Sequence, residues 1–469
     1  MHKKSPCFII NCQIKFKERT FYYNMIYNYF KDSNFDFDRF TFRMINETIF
    51  IDTYLIPEIE TCPVCGSIHI VKNGHTKRKI IHCVYYTSPI EVTIHLQNYI
   101  CKECKSFFRE KTSFANDNEN ISIESIFMIL EKLKYSNETF ESVARASHLT
   151  RQTVIEIFDK YVDYTVPELP NILSFDEKHI NKKMSDGSYL FIMVDFIKIK
   201  IYDIVYSRRK NVLEKYFSKI PLEQRNKVKY ITMDMWETYK DLAIKYFRNA
   251  KIAVDSFHVT KAVNNALDTI RKIVMQKYNE KTKEIDDNSN FYYVLKKFKF
   301  ILLSNFEEIK FSKRFNKKLN MWITKDSIRQ YMFDIDDRIK NAYSLAMAYR
   351  EFNQSSSYNN CANELDELID KFYDSNLDQF IELAKTLSTW KEYIINSFIT
   401  IDEALTKPTK KDETPKPRRL SSGSIEGLNS ILEKLNVNGN GYSNFHRFRK
   451  RALYVINKDL VIKNKPSKK

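Results

Sequence analysis

The chain has 469 residues, enough for about three domains, and 43% of them are hydrophobic, so it can build buried cores. Lys and Arg total 76 against 59 Asp and Glu, a net charge of +17 that calls for a polyanionic partner, nucleic acid before anionic membrane. No run of 18 apolar residues occurs, which excludes a spanning helix, and neither GxxxxGK[ST] nor GxGxxG occurs, which excludes the common nucleotide-binding loops.

Residues 1–54 are aromatic-rich without a clear period and form an N-terminal segment of unclear fold. The apolar run in MHKKSPCFIINCQIKFKERTF is too short for a signal peptide, so an intracellular chain with reduced cysteines is expected. Residues 55–115 carry two C-x2-C knuckles, Cys62/Cys65 and Cys101/Cys104, separated by 101 − 65 − 1 = 35 residues. Four thiolates at this spacing suit a tetrahedral structural Zn2+, and the alternating runs KRKIIHCVYY and IEVTIHLQNYI predict strands between the knuckles. The pattern is that of a zinc ribbon with an extended hairpin.

Residues 120–165 predict three helices. In TFESVARASHLTRQTVIEIFDKYV a short helix, a turn at His148–Thr150 and a second helix give helix-turn-helix spacing, with Thr150 as the N-cap. Arg151, Gln152 and Thr153 then open the second helix, where base edges are read.

Residues 170–258 change character. NILSFDE, SYLFIMVDF, IKIYDIVYS, VKYITMD and KIAVDSF are short apolar runs, and helical patterns separate the third, fourth and fifth. Three strands in a meander followed by helix–strand–helix–strand predict a mixed α/β sheet. Several strands end on Asp. In this topology the first and fourth strands can lie side by side and parallel, which brings Asp176 and Asp234 to one edge and sends Asp195 to the other. Clustered carboxylates repel unless cations neutralise them. With Glu426 from a later helix they would form a site for two hard divalent ions, Mg2+ or Mn2+, suited to phosphoryl transfer. Asp255 competes for the same edge.

Residues 259–420 are nearly all helical in pattern and close in the linker TKPTKKDETPKPRRL. Within them, Trp322 and Trp390 read as core residues ahead of DNA-stacking groups. Residues 421–457 contain a helix, SSGSIEGLNSILEKL, with an apolar face of Ile425, Leu428, Leu432 and Leu435. After it, aromatic residues interleave with Arg447, Arg449, Lys450 and Arg451. With Arg418 and Arg419 these are candidate phosphate contacts. Residues 458–469 form a basic tail.

SFDEKHI, ITMDMWETY, AVDSFHVTKAVNNALD and SGSIEGLN…NGYSNFHRFRKRAL together resemble the DDE transposases of bacterial insertion sequences, specifically the ISL-three group. The resemblance runs through nearly the whole chain. It implies a zinc-binding N-terminus, a helix-turn-helix, a ribonuclease-H-like α/β catalytic core interrupted by an all-α insertion, and a Glu-bearing last helix. Asp176, Asp234 and Glu426 match the three catalytic acids. Asp255 and His258 resemble a supporting D-x-x-H block, and Asn429 the Asn of the E-G-x-N context. Ser430 departs from the second Asn of many members. The 426 − 234 − 1 = 191 residues between the second and third acids leave room for the insertion. The implied activity is two-metal cleavage and strand transfer at the terminal inverted repeats of the element. The implied partners are element and target double-stranded DNA and a second copy of the chain, in the bacterial cytoplasm at the nucleoid. A transposase-derived DNA-binding regulator without catalysis, or a metal-dependent nuclease, are the alternatives.

Overall fold

The computed structural model describes residues 30, 33–46, 48–83, 88–180, 188–279, 290–304, 309, 311–406, 414–421 and 425–458, except the side chain of Glu426. The chain divides into two units. Unit one holds the chain to Tyr164 together with Glu433–Tyr442 and the residues from His446 onward; unit two holds Thr165–Leu432 and Ser443–Phe445.

Unit one opens with a five-stranded sheet: β1 (Phe35–Ile45), β2 (Thr48–Leu55), β3 (Ile70–His82), β4 (Ile90–Cys101) and β5 (Phe107–Arg109). The order is β1-β2-β4-β3, with β5 also on β4. The expected hairpin between the knuckles is the antiparallel pair β3–β4. Residues 35–55, which carried no clear period, are not a separate segment: β2 pairs with β4 in parallel and shares its core of Ile49, Ile51, Val92 and Ile94. Three helices follow, α1 (Ile123–Lys132), α2 (Phe140–Ala146) and α3 (Arg151–Tyr161). Each starts on a hydroxyl cap. Ser122 accepts from Ser125 N–H, Thr139 forms a reciprocal box with Ser142, and Thr150 accepts from Thr153 N–H. Ile129, Leu130, Val143, Val154 and Phe158 close their shared core.

Unit two is built on a second five-stranded sheet. Its elements run β6 (Ile172–His179), β7 (Tyr189–Asp195), β8 (Lys200–Val205), α4 (Lys210–Ser218), α5 (Leu222–Lys227), β9 (Tyr230–Met233), α6 (Glu237–Tyr246) and β10 (Lys251–Val254). The order is β10-β9-β6-β7-β8. β6–β7 and β7–β8 are antiparallel, whereas β6–β9 and β9–β10 are parallel, as the meander-then-crossover reading requires. Leu173, Phe175, Ile231, Met233, Ile252 and Val254 fill one face. The opposite face carries the small row Ser174, Thr232 and Ala253, in register, with Thr232 Oγ1 donating to Ser174 Oγ at 2.6 Å.

The helices α7 (Ser256–Lys277), α8 (Asn290–Lys297) and α9 (Lys299–Leu303) lead to a hairpin, β11 (Arg314–Asn316) and β12 (Met321–Ile323). After it come α10 (Lys325–Ile335), α11 (Asp337–Ser355), α12 (Cys361–Tyr373), α13 (Asp378–Thr389), α14 (Lys391–Asn396) and a second ribbon, β13 (Thr400–Leu405) with β14 (Pro417–Arg419). The stretch expected to be all-α therefore contains two β-ribbons. The first turns at Asn316, whose Oδ1 accepts from the backbone of Lys318 and Leu319, an Asx turn. One continuous apolar core joins these helices to the sheet. Asn396 of α14 donates to the Ile252 carbonyl of edge strand β10, covering that edge. Trp390 is buried as expected, but Trp322 is 60% exposed, because its strand turns the neighbouring Ile323 inward instead.

Two helices end the described chain, α15 (Ile425–Asn438) and α16 (Phe445–Asn457). The division between units falls within α15. Residues 421–457 are therefore not wholly a part of the sheet-bearing unit. From His446 on, α16 packs in unit one, where Tyr454 stacks edge-on against Phe158 and donates to the Leu130 carbonyl.

Candidate functional site

Strand register places three carboxylates side by side. Ser174 pairs with Thr232 and Thr232 with Ala253. Two residues beyond these stand Asp176, within β6, and Asp234 and Asp255, which directly follow the last residues of the parallel strands β9 and β10.

The three acids differ in their surroundings. Asp176 is partly buried; its Oδ1 accepts from Glu177 N–H at 2.7 Å and its Oδ2 from Asn429 Nδ2 at 2.6 Å. Desolvation, opposed by the Glu177 N–H and reinforced by the charge of Asp234, pushes its pKa up to about 6. Asp234 holds His258 Nε2 at 2.8 Å from its Oδ1. Burial opposes the charged imidazole, but the Asp234 contact and the surrounding carboxylates outweigh it and raise the His258 pKa. Asp255 is buried and caps α7, accepting from Phe257 N–H at 3.1 Å and from the Ser421 hydroxyl at 3.0 Å. Asp234, Asp255 and His258 have ligand atoms within 4.8 Å of one another.

Glu426 lies on α15 one turn before Asn429; its side chain is outside the described residues. Asn429 Oδ1 is buried and has no hydrogen-bond partner among the described residues, so an unspent carbonyl oxygen accompanies the carboxylates. Two neighbouring acids, one desolvated, with an orphaned oxygen fit a hard divalent cation.

A brace that the sequence did not single out stands beside Asp176. Arg208 forms an ion pair with Glu177, and its guanidinium lies 3.8 Å from the Tyr189 ring centroid and 4.8 Å from that of Trp236. Trp236 in turn meets the buried Tyr239 edge-on at 4.5 Å. The charge of Glu177, next to Asp176 in sequence, was the available signal. Asp195 sits at the opposite end of the sheet, paired with Leu173, and its Oδ1 closes a turn on the N–H groups of Ile197 and Lys198.

In unit one the thiol sulfurs of Cys62, Cys65, Cys101 and Cys104 lie within 4.8 Å of one another. The two knuckles match: the residue after each second cysteine, Gly66 (φ +73°) or Lys105 (φ +59°), is left-handed and donates to the first cysteine's carbonyl. Burial disfavours the Cys62 thiolate, yet the Ser106 hydroxyl and backbone donors bring its pKa down to about 6. Four sulfurs at this separation fit Zn2+.

The basic candidates divide. Arg151 and Gln152 are exposed at the start of α3, and Gln152 donates to Glu156 at 2.9 Å; Thr153 is half-buried beside its cap. Arg447 pairs with Asp159 at 2.8 Å, Lys450 donates to the Asp159 carbonyl, and Arg449 lies 5.3 Å from the Tyr164 ring. Arg418 bonds the Phe196 carbonyl over the Phe196 ring, and Arg419 bonds the Asn353 carbonyl over Phe398. Arg451 is not a phosphate contact: it is fully buried, and its guanidinium donates to the carbonyls of Tyr135 and Glu138 in the α1–α2 connection, satisfying backbone that packing has taken from water.

No helix among the described residues is long and apolar enough to cross a membrane. A family model described as a transposase, of the ISL-three group of DDE enzymes, matches residues 173–407. That span covers the five-stranded sheet of unit two from Leu173 on, the helices after it and β13. Among curated proteins nothing matches the chain.

Proposed function

Because the chain belongs to the ISL-three family of DDE transposases, we propose that it cleaves and joins DNA with Asp176, Asp234 and Glu426 as its catalytic acids. One observation supports this: β6 and β9 pair in parallel, the charge of Asp234 acts on Asp176, and Asn429, one turn beyond Glu426, donates to Asp176. The strand order β10-β9-β6-β7-β8 supports a ribonuclease-H-like core. Two bound Mg2+ or Mn2+ ions would supply activation of the attacking oxygen and stabilisation of the leaving one.

The protein's own groups do the rest. Asn429 fixes the Asp176 carboxylate through its Nδ2 and keeps its buried Oδ1 unspent. His258 orients Asp234, and Asp255 anchors the start of the helix that carries His258. Water attacks the phosphodiester at the element's end. The freed 3′-hydroxyl then attacks the target strand at the same acids, without a covalent protein intermediate. α2, the turn at Ser147–Thr150 and α3 would read the terminal repeats through Arg151, Gln152 and Thr153. The four-cysteine cluster would hold structural Zn2+. Joining two ends requires two sites, so a homodimer belongs to the proposal.

The test is cleavage and joining of a labelled element-end duplex with Mg2+ or Mn2+. Wild type joins ends, and Asp176→Ala, Asp234→Ala and Glu426→Ala bind the DNA but neither cut nor join. Full activity in the Glu426→Ala protein would remove that residue from the site. Tight binding without cutting by all four proteins would make the chain a regulator.

A further inference from the structure

The β11–β12 hairpin leaves two large rings in water. Phe315 and Trp322 are direct cross-strand partners, 47% and 60% exposed, with ring centroids 5.8 Å apart at 69°. The hairpin is firmly held. Asn316 closes its turn and donates to the Tyr293 hydroxyl, Asn320 takes the left-handed conformation (φ +51°), Ile323 is buried in the core, and Thr324 caps α10. A rigid hairpin that holds a tryptophan out of the core forgoes the gain its burial would bring.

The rings lie in a field of one sign. Lys313, Arg314, Lys317 and Lys318 are all exposed, and Phe311–Lys325 contains no acidic residue. Three of these cations lie against rings: Lys313 is 5.8 Å from Trp322, Arg314 is 4.8 Å from Phe311, and Lys318 is 4.7 Å from Tyr293. Lysine is depleted at protein interfaces, so this density of cations disfavours a protein partner. Exposed rings among cations that form no ion pair among the described residues are the chemistry that stacks bases and tracks phosphates.

We propose that this hairpin is a DNA-contacting element in which Trp322 stacks on a base displaced from the duplex, Phe315 buttresses it edge-on, and the four cations hold the flanking phosphates. The choice of DNA over RNA rests on the transposase reading. A duplex alone offers no free base face, so the hairpin distinguishes opened from intact DNA.

The experiment uses the full chain in magnesium-free buffer. Fluorescence anisotropy measures its affinity for an intact duplex and for the same duplex carrying one extrahelical 2-aminopurine, whose quenching reports stacking. Wild type favours the opened duplex by roughly 10-fold or more and quenches the probe, a preference in the range of one base–aromatic stack. Trp322→Ala abolishes both effects and leaves intact-duplex affinity within about twofold, while Trp322→Phe retains part of both. Because Trp322 is exposed, circular dichroism of the alanine variant should match wild type. Lys317→Ala with Lys318→Ala weakens both duplexes and flattens the salt dependence by about two charges. Equal behaviour of wild type and Trp322→Ala, or equal loss on both duplexes, overturns the hairpin's role while leaving the transposase reading intact. Failure of wild type to bind either duplex overturns both. Loss of self-association in Trp322→Ala without the change in DNA preference would mean that the rings meet a second copy, and overturns the proposal.

Discussion

Asp176→Asn should stabilise the metal-free protein while abolishing its activity. Burial and Asp234 lift the Asp176 pKa from 3.8 to about 6. A raised acid binds its proton more tightly folded than unfolded, so folding stability falls as pH rises from about 4 to about 6 and stays at the lower level above. A displacement of about two units corresponds to about 3 kcal/mol, or about 2 kcal/mol once the partial exposure of the group is allowed for. The asparagine keeps the shape. The Asn429 amide can turn over, so that its now unpartnered Oδ1 accepts from the new amide. The variant should therefore match wild type near pH 4 and exceed it by about 2 kcal/mol at pH 8. Urea unfolding followed by tryptophan emission reads the right unit, because Trp236, Trp322 and Trp390 all lie in unit two. The buffer should lack magnesium but contain no chelator, which would strip the thiolate cluster. Added Mg2+ should stabilise wild type and not the variant. A variant no more stable than wild type at pH 8, or a difference that grows toward acid, would refute the desolvated-carboxylate argument.

Two further outcomes follow from unit one. Cys101→Ser should lower bound zinc from about one ion per chain to near none, read by a colorimetric zinc assay, and expose the β3–β4 region to protease. Arg451→Met should lower the melting temperature by removing about 2 kcal/mol, since it strands the Tyr135 and Glu138 carbonyls, while the folded fraction binds duplex DNA as wild type does.

Much of the sheet that carries the acids was legible because its strands are short, largely buried runs, the last of them separated by helical periods. The parallel pairing of β6 with β9 was legible from the order of a meander followed by a crossover. β2 was missed although TIFIDTYL alternates buried and half-buried residues along its length. Its partner β4 lies across a long connection, and no local pattern announces a parallel pairing. The β11–β12 hairpin was hidden because SKRFNKKLNMW has the charge density of a solvated helix, and only Asn316 marks the turn. Arg451 was misjudged for a different reason. A sequence shows a cation but not the orphaned carbonyl it serves, so Arg451, buried among Tyr135 and Glu138, looked like its neighbours Arg449 and Lys450.

Asp255 is the remaining acid in the row, and its geometry argues for a positioning role. Its Oδ1 is engaged twice, by the Phe257 N–H and by the Ser421 hydroxyl, and it begins the helix on which His258 reaches Asp234. A cap needs an oxygen at that place but not a charge, and asparagine caps as well as aspartate. A metal ligand in this cluster needs the charge. Asp255→Asn should therefore retain strand joining within a few-fold of wild type, whereas Asp255→Ala should cost about 1 kcal/mol of stability and misplace His258. Asp234→Asn supplies the contrast, because there the same isosteric change should abolish joining. If Asp255→Asn is as inactive as Asp234→Asn while its stability is unchanged, the capping assignment fails and the cation site extends across all three strands.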